Sequence, residues 1–392
     1  MEEVNGRRYL DFLAGAGTLN YGHNNPAIVG RVIDYLSCNG IVHSLDMHTR
    51  AKAQFIAAFH DIILAPRALS YKLQFPGPTG SNAVEAALKL ARKVTGRTNV
   101  IGFTDGFHGM TLGALAATAN SAKRRASGVS LNGVTFMPYD GYLGEHVDTM
   151  DVTARMLKSS GSGVEPPAAI LVEMVQGEGG LNAASANWVR ALASLARELG
   201  AVLIVDDIQA GNGRTGTFFS FEPFGIDPDI VVLSKSLSGF GTPFSLVLIR
   251  PEHDQWQPGE HNGTFRGNNL AFVGATAALE TYWRNDDFAD DVTGKAMHVR
   301  ARVERIAAAL PPGAAWVKGR GLLTGIAFAD AGTTTELVHR LFRADVIAET
   351  CGPHDQVLKL LPPLTTSLVE LDLGLDRIEE AVETCVPKVA AL

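Results

Sequence analysis

Two charged residues that follow apolar runs of the chain have the types and spacing to carry out chemistry on an amine. Lys235 comes directly after Ile230-Val-Val-Leu-Ser, and Asp206 ends the run Leu203-Ile-Val-Asp. Such runs predict buried parallel strands, and open α/β sheets bind ligands at the carboxyl ends of these strands. A lysine amine forms a Schiff base with an aldehyde cofactor, and a carboxylate keeps a pyridine nitrogen protonated. The pair therefore suggests a site for pyridoxal phosphate (PLP).

Each of these residues also has an ordinary structural explanation. A lysine after an apolar strand is usually a solvated strand end, and an aspartate there is commonly an exposed acid. Gly239 and Gly241 follow Lys235 closely. Because glycine lets backbone approach where a side chain would collide, these two residues favour a bulky planar ligand nearby.

A third element upstream has the composition of a phosphate-binding turn. The run Phe75-Pro-Gly-Pro-Thr-Gly-Ser-Asn leads directly into the helical stretch 83–92. Gly80, Ser81 and Asn82 would offer free backbone N–H groups at a helix N-terminus, where the helix dipole favours an anion. The alternative is a plain loop with a Ser or Asn cap. A nucleotide P-loop fits poorly, because no Gly-Lys-Ser/Thr follows.

An aromatic and a histidine lie between two glycines after the short apolar segment 100–103. Phe107 has the flat face needed to stack on a pyridine ring, and His108 is next to it. Taken alone, an aromatic at a strand end is more often part of a core, and a histidine more often a hydrogen-bonded loop residue. Their position between the phosphate-binding turn and the Asp206 strand favours the functional interpretation.

The order of these motifs resembles that of the class III (ω-type) aminotransferases of PLP fold type I. The resemblance covers essentially the whole chain. The matching residues are Gly80-Ser81, 83–87, Phe107-His108-Gly109, 173–178, 206–209, 213–216, Ser234-Lys235 and Thr264-Phe265. Longer strings at 13–26, 40–50, 75–80 and 259–268 are similar to the diaminobutyrate–2-oxoglutarate branch, which includes the ectoine-pathway type.

The resemblance implies a role for each matching residue. Lys235 and Asp206 would be catalytic, as the Schiff-base lysine and the partner of the pyridine nitrogen. The residues that would bind the cofactor are Gly80, Ser81, Phe107, His108, Asp206, Gln209, Lys235 and Thr264. Thr264 would reach the phosphate from a second subunit, which implies a homodimer or a higher oligomer with shared active sites. No metal is implied.

The expected substrate contacts include one departure from the family pattern. Glu178 matches a glutamate that pairs with an arginine before a Pro-Pro-Leu motif in related enzymes, but the second position here is Lys359. Arginine grips a carboxylate with two hydrogen bonds, and lysine acts only as a point charge. The carboxylate of an amino donor would then be bound more loosely, or by another cation such as Arg266 or Arg320, each of which is as readily a structural cation.

The resemblance implies transamination between L-glutamate and L-aspartate 4-semialdehyde, which gives L-2,4-diaminobutyrate and 2-oxoglutarate. One alternative is a class III aminotransferase for another ω-amino acid, similar to those for ornithine or 4-aminobutyrate. The other is a PLP-fold protein that has lost activity. Family members normally carry a further few dozen residues before Asn5, so we expect a shortened N-terminal part of the small domain.

Alternating strand and helix patterns predict an α/β fold. The resemblance implies a large domain with a parallel-rich seven-stranded sheet flanked by helices, and a smaller α+β lobe built from N- and C-terminal segments. The expected limits are 1–44 and 286–392 for the small domain and 45–285 for the large one. Residues 141–165, rich in Gly, Ser and Asp, predict a surface excursion.

Composition excludes several classes of function. The net charge of −7 gives no electrostatic footprint for nucleic acid or an anionic membrane. The three cysteines are scattered and match neither a disulfide framework nor zinc spacing. No apolar stretch approaches the roughly eighteen residues needed to span a bilayer. We therefore expect a cytoplasmic enzyme that acts on small molecules.

Overall fold

A seven-stranded sheet forms the centre of the protein. The structure is a computed structural model that describes residues 1–144 and 146–386. In chain order the strands are β1 (Lys72–Gln74), β2 (Asn99–Phe103), β3 (Val134–Met137), β4 (Pro167–Val172), β5 (Val202–Asp206), β6 (Ile230–Leu233) and β7 (Leu246–Ile249). Their spatial order is β1-β7-β6-β5-β4-β2-β3. Only β7 runs against its neighbours within this sheet, so the carboxyl ends of β2, β4, β5 and β6 share one edge.

Helices cover both faces of this sheet because successive strand residues alternate between two apolar layers. The α-helices of eight or more residues are α1 (Pro26–Ser37), α2 (Arg50–Ala58), α3 (Gly80–Thr95), α6 (Thr149–Lys158), α7 (Ala186–Leu199), α8 (Asn269–Tyr282), α9 (Asp287–Ala308), α10 (Ala331–Arg343) and α11 (Leu368–Cys385), with the short α4 (Leu112–Ala117) and α5 (Ser121–Arg125) between α3 and α6. Ile204 packs with the α3 layer, and Val205 packs with the opposite layer that includes α7.

A smaller antiparallel sheet lies toward the C-terminus. Its strands are β8 (Ala315–Arg320), β9 (Leu323–Phe328), β10 (Glu349–Cys351) and β11 (Val357–Leu360), in the spatial order β8-β9-β11-β10. Its core includes apolar residues of α9, α10 and α11. The N-terminal segment joins this part of the molecule, because Leu10–Asp11 pairs in parallel with Val346–Ile347 and Phe12 packs in the same core.

The observed elements confirm the predicted α/β fold with its parallel-rich sheet. The strands expected before Asp206 and Lys235 end where their apolar runs end, and Gly200 caps α7 with a φ of 60°. The excursion at 141–165 contains the helix α6, which its Gly- and Ser-rich composition did not indicate. The limits 1–44, 45–285 and 286–392 stay a prediction. Within 1–144 and 146–386, no helix is both long and apolar enough to cross a membrane.

Candidate active site

One cavity lies at the carboxyl edge of the large sheet, between β2, β4, β5, β6 and the start of α3. Its volume is about 170 Å³. It is lined by Thr79, Gly80, Ser81, Phe107, His108, Gly109, Glu173, Glu178, Asp206, Ile208, Gln209, Ser234 and Lys235. The fold therefore brings most of the residues singled out in the sequence to one place, and we call this space the main cavity.

Lys235 projects its amine into the main cavity from a strained backbone position. Its φ is +50°, a left-handed value that a side chain other than glycine rarely adopts. Its Nζ donates a hydrogen bond of 2.9 Å to the carbonyl oxygen of Ala16, in the N-terminal segment. Burial lowers the pKa of the Lys235 amine to about 8. A substantial share of the amine is therefore neutral, and nucleophilic, near physiological pH.

Asp206 and His108 form a buried pair on the wall of the main cavity. Asp206 Oδ2 and His108 Nδ1 lie 2.7 Å apart, and the other Asp206 oxygen accepts a hydrogen bond of 3.2 Å from the Ile208 N–H. Burial alone would lower the pKa of His108, but the hydrogen bond and charge of Asp206 outweigh it and raise the pKa. The ring nitrogen that faces Asp206 therefore acts as a donor and fixes the carboxylate.

The phosphate-binding turn begins the helix α3, with one difference from the prediction. The capping residue is Thr79, whose side chain accepts from the Asn82 N–H at 3.4 Å. The Asn82 N–H also lies 3.0 Å from the Thr79 carbonyl oxygen, so the expectation that it is free was wrong. Gly80 and Ser81 occupy the first two helical positions and line the main cavity, where backbone N–H groups of a helix start suit an anion.

Glu178 and Lys359 are in direct contact, and a second carboxylate joins them. Lys359 Nζ lies 2.7 Å from Glu178 Oε1 and 2.8 Å from Glu349 Oε1, and the lysine side chain is fully buried. Glu349 and Lys359 are cross-strand partners on β10 and β11. Burial raises the pKa of Glu178, but the ammonium of Lys359 outweighs it and lowers the pKa. The cluster of three thus carries a net charge of −1.

Gln209 is held beside the main cavity with an unused acceptor. Its Nε2 donates to the Ala16 carbonyl at 3.1 Å, and its buried Oε1 has no hydrogen-bond partner among the described residues. A Cβ on Gly177 would collide with this Oε1 atom. A buried oxygen without a partner is costly. The arrangement therefore suits a bound group that brings its own donor.

Several other predicted residues do not line the main cavity. Thr264 is exposed on the 3₁₀ turn Thr264–Arg266, and its carbonyl accepts from His43 Nε2 at 2.8 Å. Arg266 pairs with Asp46, and Arg320 donates to the Ser220 carbonyl. These contacts account for both arginines as structural cations.

Gly239 and Gly241 also lie outside the main cavity. An added Cβ on Gly239 would come within 2.7 Å of the Gly274 carbonyl of α8. The close approach at Gly239 is therefore made to a helix, not to a ligand.

Glu173 also lines the main cavity, although the sequence patterns predicted no role for it. Its two carboxylate oxygens accept from the N–H groups of Phe107 at 3.0 Å and Gly177 at 3.3 Å. Burial raises the pKa of Glu173 to about 7, although the nearby His108 acts in the opposite direction. Its position at the end of the apolar run 168–172 is the signal that would have identified it, as for Asp206.

The comparison with protein families decides the class of enzyme. A family model described as "Aminotransferase class-III" matches residues 1–382, which is nearly the whole chain. The chain belongs to the class III aminotransferases. The fold of this aminotransferase is similar to that of an ornithine aminotransferase of Toxoplasma gondii, with a TM-score of 0.84, 26% identity, and coverage of 98% of this chain and 87% of the other. That structure is described as having PLP at partial occupancy in its active site.

Curated relatives of this class III aminotransferase carry a narrower name. A diaminobutyrate–2-oxoglutarate transaminase of Vibrio parahaemolyticus is 53% identical over 99% of this chain and 92% of its own length. An enzyme of the same name from Bordetella parapertussis is 55% identical over 96% of this chain and 87% of its own length. Within 1–144 and 146–386, no group of three or more His, Cys, Asp or Glu side chains could hold a metal ion.

Proposed function

We propose that this class III aminotransferase uses PLP to transfer an amino group between L-glutamate and L-aspartate 4-semialdehyde, with L-2,4-diaminobutyrate and 2-oxoglutarate as products. The observation that carries the proposal is the set of an amine, a buried carboxylate and a helix start around the main cavity. The substrate pair is supported by the name of relatives that are 53% and 55% identical.

Lys235 moves the proton in this proposal. Bound in the main cavity, PLP supplies an aldehyde for the amine and a ring that accepts electrons. The Lys235 Nζ, with its pKa lowered to about 8 by burial, would be the group that holds this aldehyde until an amino donor replaces it. The free Nζ would then act as the base that takes the proton from the substrate carbon bearing the amine. As the resulting ammonium, it would return that proton to the carbon that had carried the aldehyde oxygen. Ala16 holds this amine in place through its carbonyl oxygen.

Asp206 supports the proton transfer by its fixed charge. Its carboxylate would keep the pyridine nitrogen protonated, and His108 orients that carboxylate through the 2.7 Å contact. The N–H groups of Gly80 and Ser81 would bind the phosphate, and the ring of Phe107 would lie against the pyridine. Gln209 Oε1 would accept a hydrogen bond from the phenolic hydroxyl group. Each of these groups is on the wall of the same cavity, which supports the assignment of roles.

A second copy of the chain would complete the site. Thr264 has no place in the cavity of its own chain, but it lies beside an apolar face made of the segments 41–47 and 264–265. Ile41, Met47 and Phe265 expose 53%, 56% and 66% of their surface on it. The ring of His43 contacts that of Phe265 edge to face, with 5.6 Å between the two ring centroids. Exposed apolar patches of this kind favour association. We propose that Thr264 of one subunit reaches the phosphate held by the other.

Hybrid dimers test the shared site. Subunits with Lys235→Ala are mixed with subunits with Thr264→Asp, whose charge repels a phosphate. In a hybrid, the wild-type Lys235 of one subunit meets the wild-type Thr264 of the other, so one of the two sites is intact. We expect activity to return on mixing to well above that of either parent. No recovery in a confirmed hybrid dimer would contradict the shared site.

Product analysis tests the reaction itself. The purified enzyme with PLP is given L-2,4-diaminobutyrate and 2-oxoglutarate, then ornithine or 4-aminobutyrate in place of the first. We expect L-glutamate to form fastest from 2,4-diaminobutyrate. Faster reaction with ornithine or 4-aminobutyrate would support the alternative ω-amino acid instead. Absence of transfer from every amine would support a fold that has lost its activity. A cytoplasmic location and a part in ectoine synthesis stay predictions.

A further inference from the structure

A second cavity adjoins the main cavity and takes no part in the mechanism proposed above. Its volume is about 200 Å³, and we call it the side cavity. It is lined by Asp105, Gly106, Phe107, Ala119, Asn120, Ser121, Ala122, Lys123, Glu178, Gly179, Pro353 and His354. Phe107 and Glu178 line both cavities, so a molecule that reacts in the main cavity has the side cavity directly beside it.

Lys123 brings a positive charge to the wall between the two cavities. Its Nζ lies 4.4 Å from the centroid of the Phe107 ring, and its side chain is half-buried. Across residues 1–144 and 146–386, no carboxylate forms an ion pair with this ammonium. The attraction between a partly exposed cation and an aromatic face is weak. Its charge therefore remains available to an anionic ligand.

The backbone of Lys123 is fixed even though its charge has no counter-ion in the described part of the chain. The Asn120 side chain caps the helix α5 by accepting from the Lys123 N–H at 3.0 Å. The neighbouring Arg124 donates through Nη1 to the carbonyl oxygens of Leu115, Ala116 and Thr118, at 3.1, 2.8 and 2.9 Å. The ammonium is thus presented from an anchored turn, which lowers the entropy cost of binding a ligand.

Glu178 supplies the opposite charge on the same cavity wall. Its Oε1 atom is taken by Lys359 and Gln209, whereas Oε2 forms no hydrogen bond with any described residue. The cluster with Lys359 and Glu349 keeps a net charge of −1. The side cavity therefore has a cation at one point of its wall and an available carboxylate oxygen at another.

We propose that the side cavity binds the α-amino-acid end of the diamine substrate, with its carboxylate on Lys123 and its α-ammonium on Glu178. The ω-amine of the same molecule then extends past Phe107 into the main cavity. When L-glutamate is the donor, its amine enters the main cavity and its side-chain carboxylate takes the position on Lys123. Lys123 is thus a specificity residue for both substrates. This inference rests on the proposed function and names the chemistry by which that site selects its substrates.

A set of three amines and two variants tests this assignment. The amines are L-2,4-diaminobutyrate, L-glutamate and 1,3-diaminopropane, which is the diamine without its carboxylate. The second-order rate constant for the reaction of each amine with the PLP-loaded protein is measured under single-turnover conditions, for the wild type and for Lys123→Gln. Because hydrogen bonds to charged groups contribute about 1.5–3 kcal/mol, we expect a loss of roughly tenfold to hundredfold with the two carboxylate-bearing amines. We expect the rate with 1,3-diaminopropane to stay within about twofold, and Lys123→Arg to keep most of the wild-type rates.

A second measurement and a matched control separate binding from damage to the fold. Inhibition by glutarate, which has two carboxylates and no amine, should weaken in Lys123→Gln by a similar factor. Arg125→Gln removes the same charge from an exposed position on α5 outside the side cavity, and should leave all these values unchanged. Equal losses with all three amines, or unchanged glutarate inhibition, would overturn the proposal. Failure of the wild type with both 2,4-diaminobutyrate and glutamate would instead overturn the proposed function.

Discussion

His108 Nδ1 and Asp206 Oδ2 lie 2.7 Å apart, and both residues are almost fully buried. The two residues come from different segments of the chain, the turn after β2 and the end of β5. The His108 backbone is itself fixed, because its N–H donates to Thr118 Oγ1 at 3.0 Å. The histidine therefore works as a positioning residue for the aspartate.

The first prediction concerns this pair. His108→Phe keeps a flat ring but removes the donor, so Asp206 loses its orientation and part of its counter-charge. A hydrogen bond to a charged group contributes about 1.5–3 kcal/mol, so we expect kcat to fall by roughly tenfold to a hundredfold. His108→Asn, which keeps a donor, should lose less. Equal kcat values for His108→Phe and the wild type would show that the pair has no such role.

The second prediction is a pH dependence of cofactor loading. Only the neutral Lys235 amine attacks an aldehyde, and burial lowers its pKa from an ordinary 10.5 to about 8. The rate at which the cofactor-free enzyme captures PLP should therefore rise as the pH increases through about 8 and then level off. Stopped-flow absorbance measures this rate. A rise that continues toward pH 10 without levelling would mean that burial does not activate Lys235.

The third prediction concerns the place of Gln209. Gly177→Ala puts a methyl group against Gln209 Oε1, so the amide must move away from the main cavity. We expect weaker retention of PLP, by roughly fivefold in dissociation constant, because one hydrogen bond contributes about 1 kcal/mol. Gly30→Ala is the control, since it lies inside α1 with no atom within 4 Å of the added methyl. Equal PLP affinity of the two variants would contradict this account of Gln209.

The fourth prediction concerns stability and the buried Asp207. Burial raises the pKa of its carboxyl to about 7, so the folded protein holds that proton more tightly than the unfolded chain does. The stabilisation is complete below the ordinary pKa of 3.8 and is lost as the pH rises to about 7. Asp207→Asn removes the titrating proton and keeps an oxygen for the Ser220 N–H, which the aspartate binds at 3.0 Å.

Urea unfolding of the cofactor-free protein measures this effect. Relative to the wild type, Asp207→Asn should gain up to about 1.4 kcal/mol in unfolding free energy for each pH unit between about 4 and 7. The control Asp254→Asn removes one carboxylate from an exposed position outside the α-helices, so the comparison isolates the effect of burying Asp207. A difference between wild type and Asp207→Asn that does not vary with pH would show that Asp207 is charged throughout.

The large sheet and its edge were predictable because their signals are local. The apolar runs before Asp206 and Lys235 are continuous, and a buried parallel strand needs little else. Glu173 follows the same kind of apolar run, so its place at the carboxyl edge of the sheet could have been predicted in the same way. The family resemblance then predicted the residues that the structure brings to the main cavity.

The remaining features depend on contacts between distant segments, which no local pattern contains. Glu349 faces Lys359 only because β10 pairs with β11, and Glu178 reaches the same ammonium from a loop 181 residues away. Thr79, Ser81 and Asn82 could each cap the start of α3. The structure has Thr79 in this position, because its side chain and that of Asn82 form a reciprocal capping box. The side cavity also depends on contacts between distant segments, since its lining comes from residues near 105, 120, 178 and 353.

The most direct test of the account is to locate the lysine that carries the cofactor. Reduction of the PLP-loaded protein with borohydride makes the link between lysine and cofactor permanent, and peptide mass spectrometry then identifies the modified residue. We expect modification of Lys235, which is lost when L-2,4-diaminobutyrate is added before reduction and is absent from Lys235→Ala. Modification at another lysine, or a link that no amino donor displaces, would contradict it.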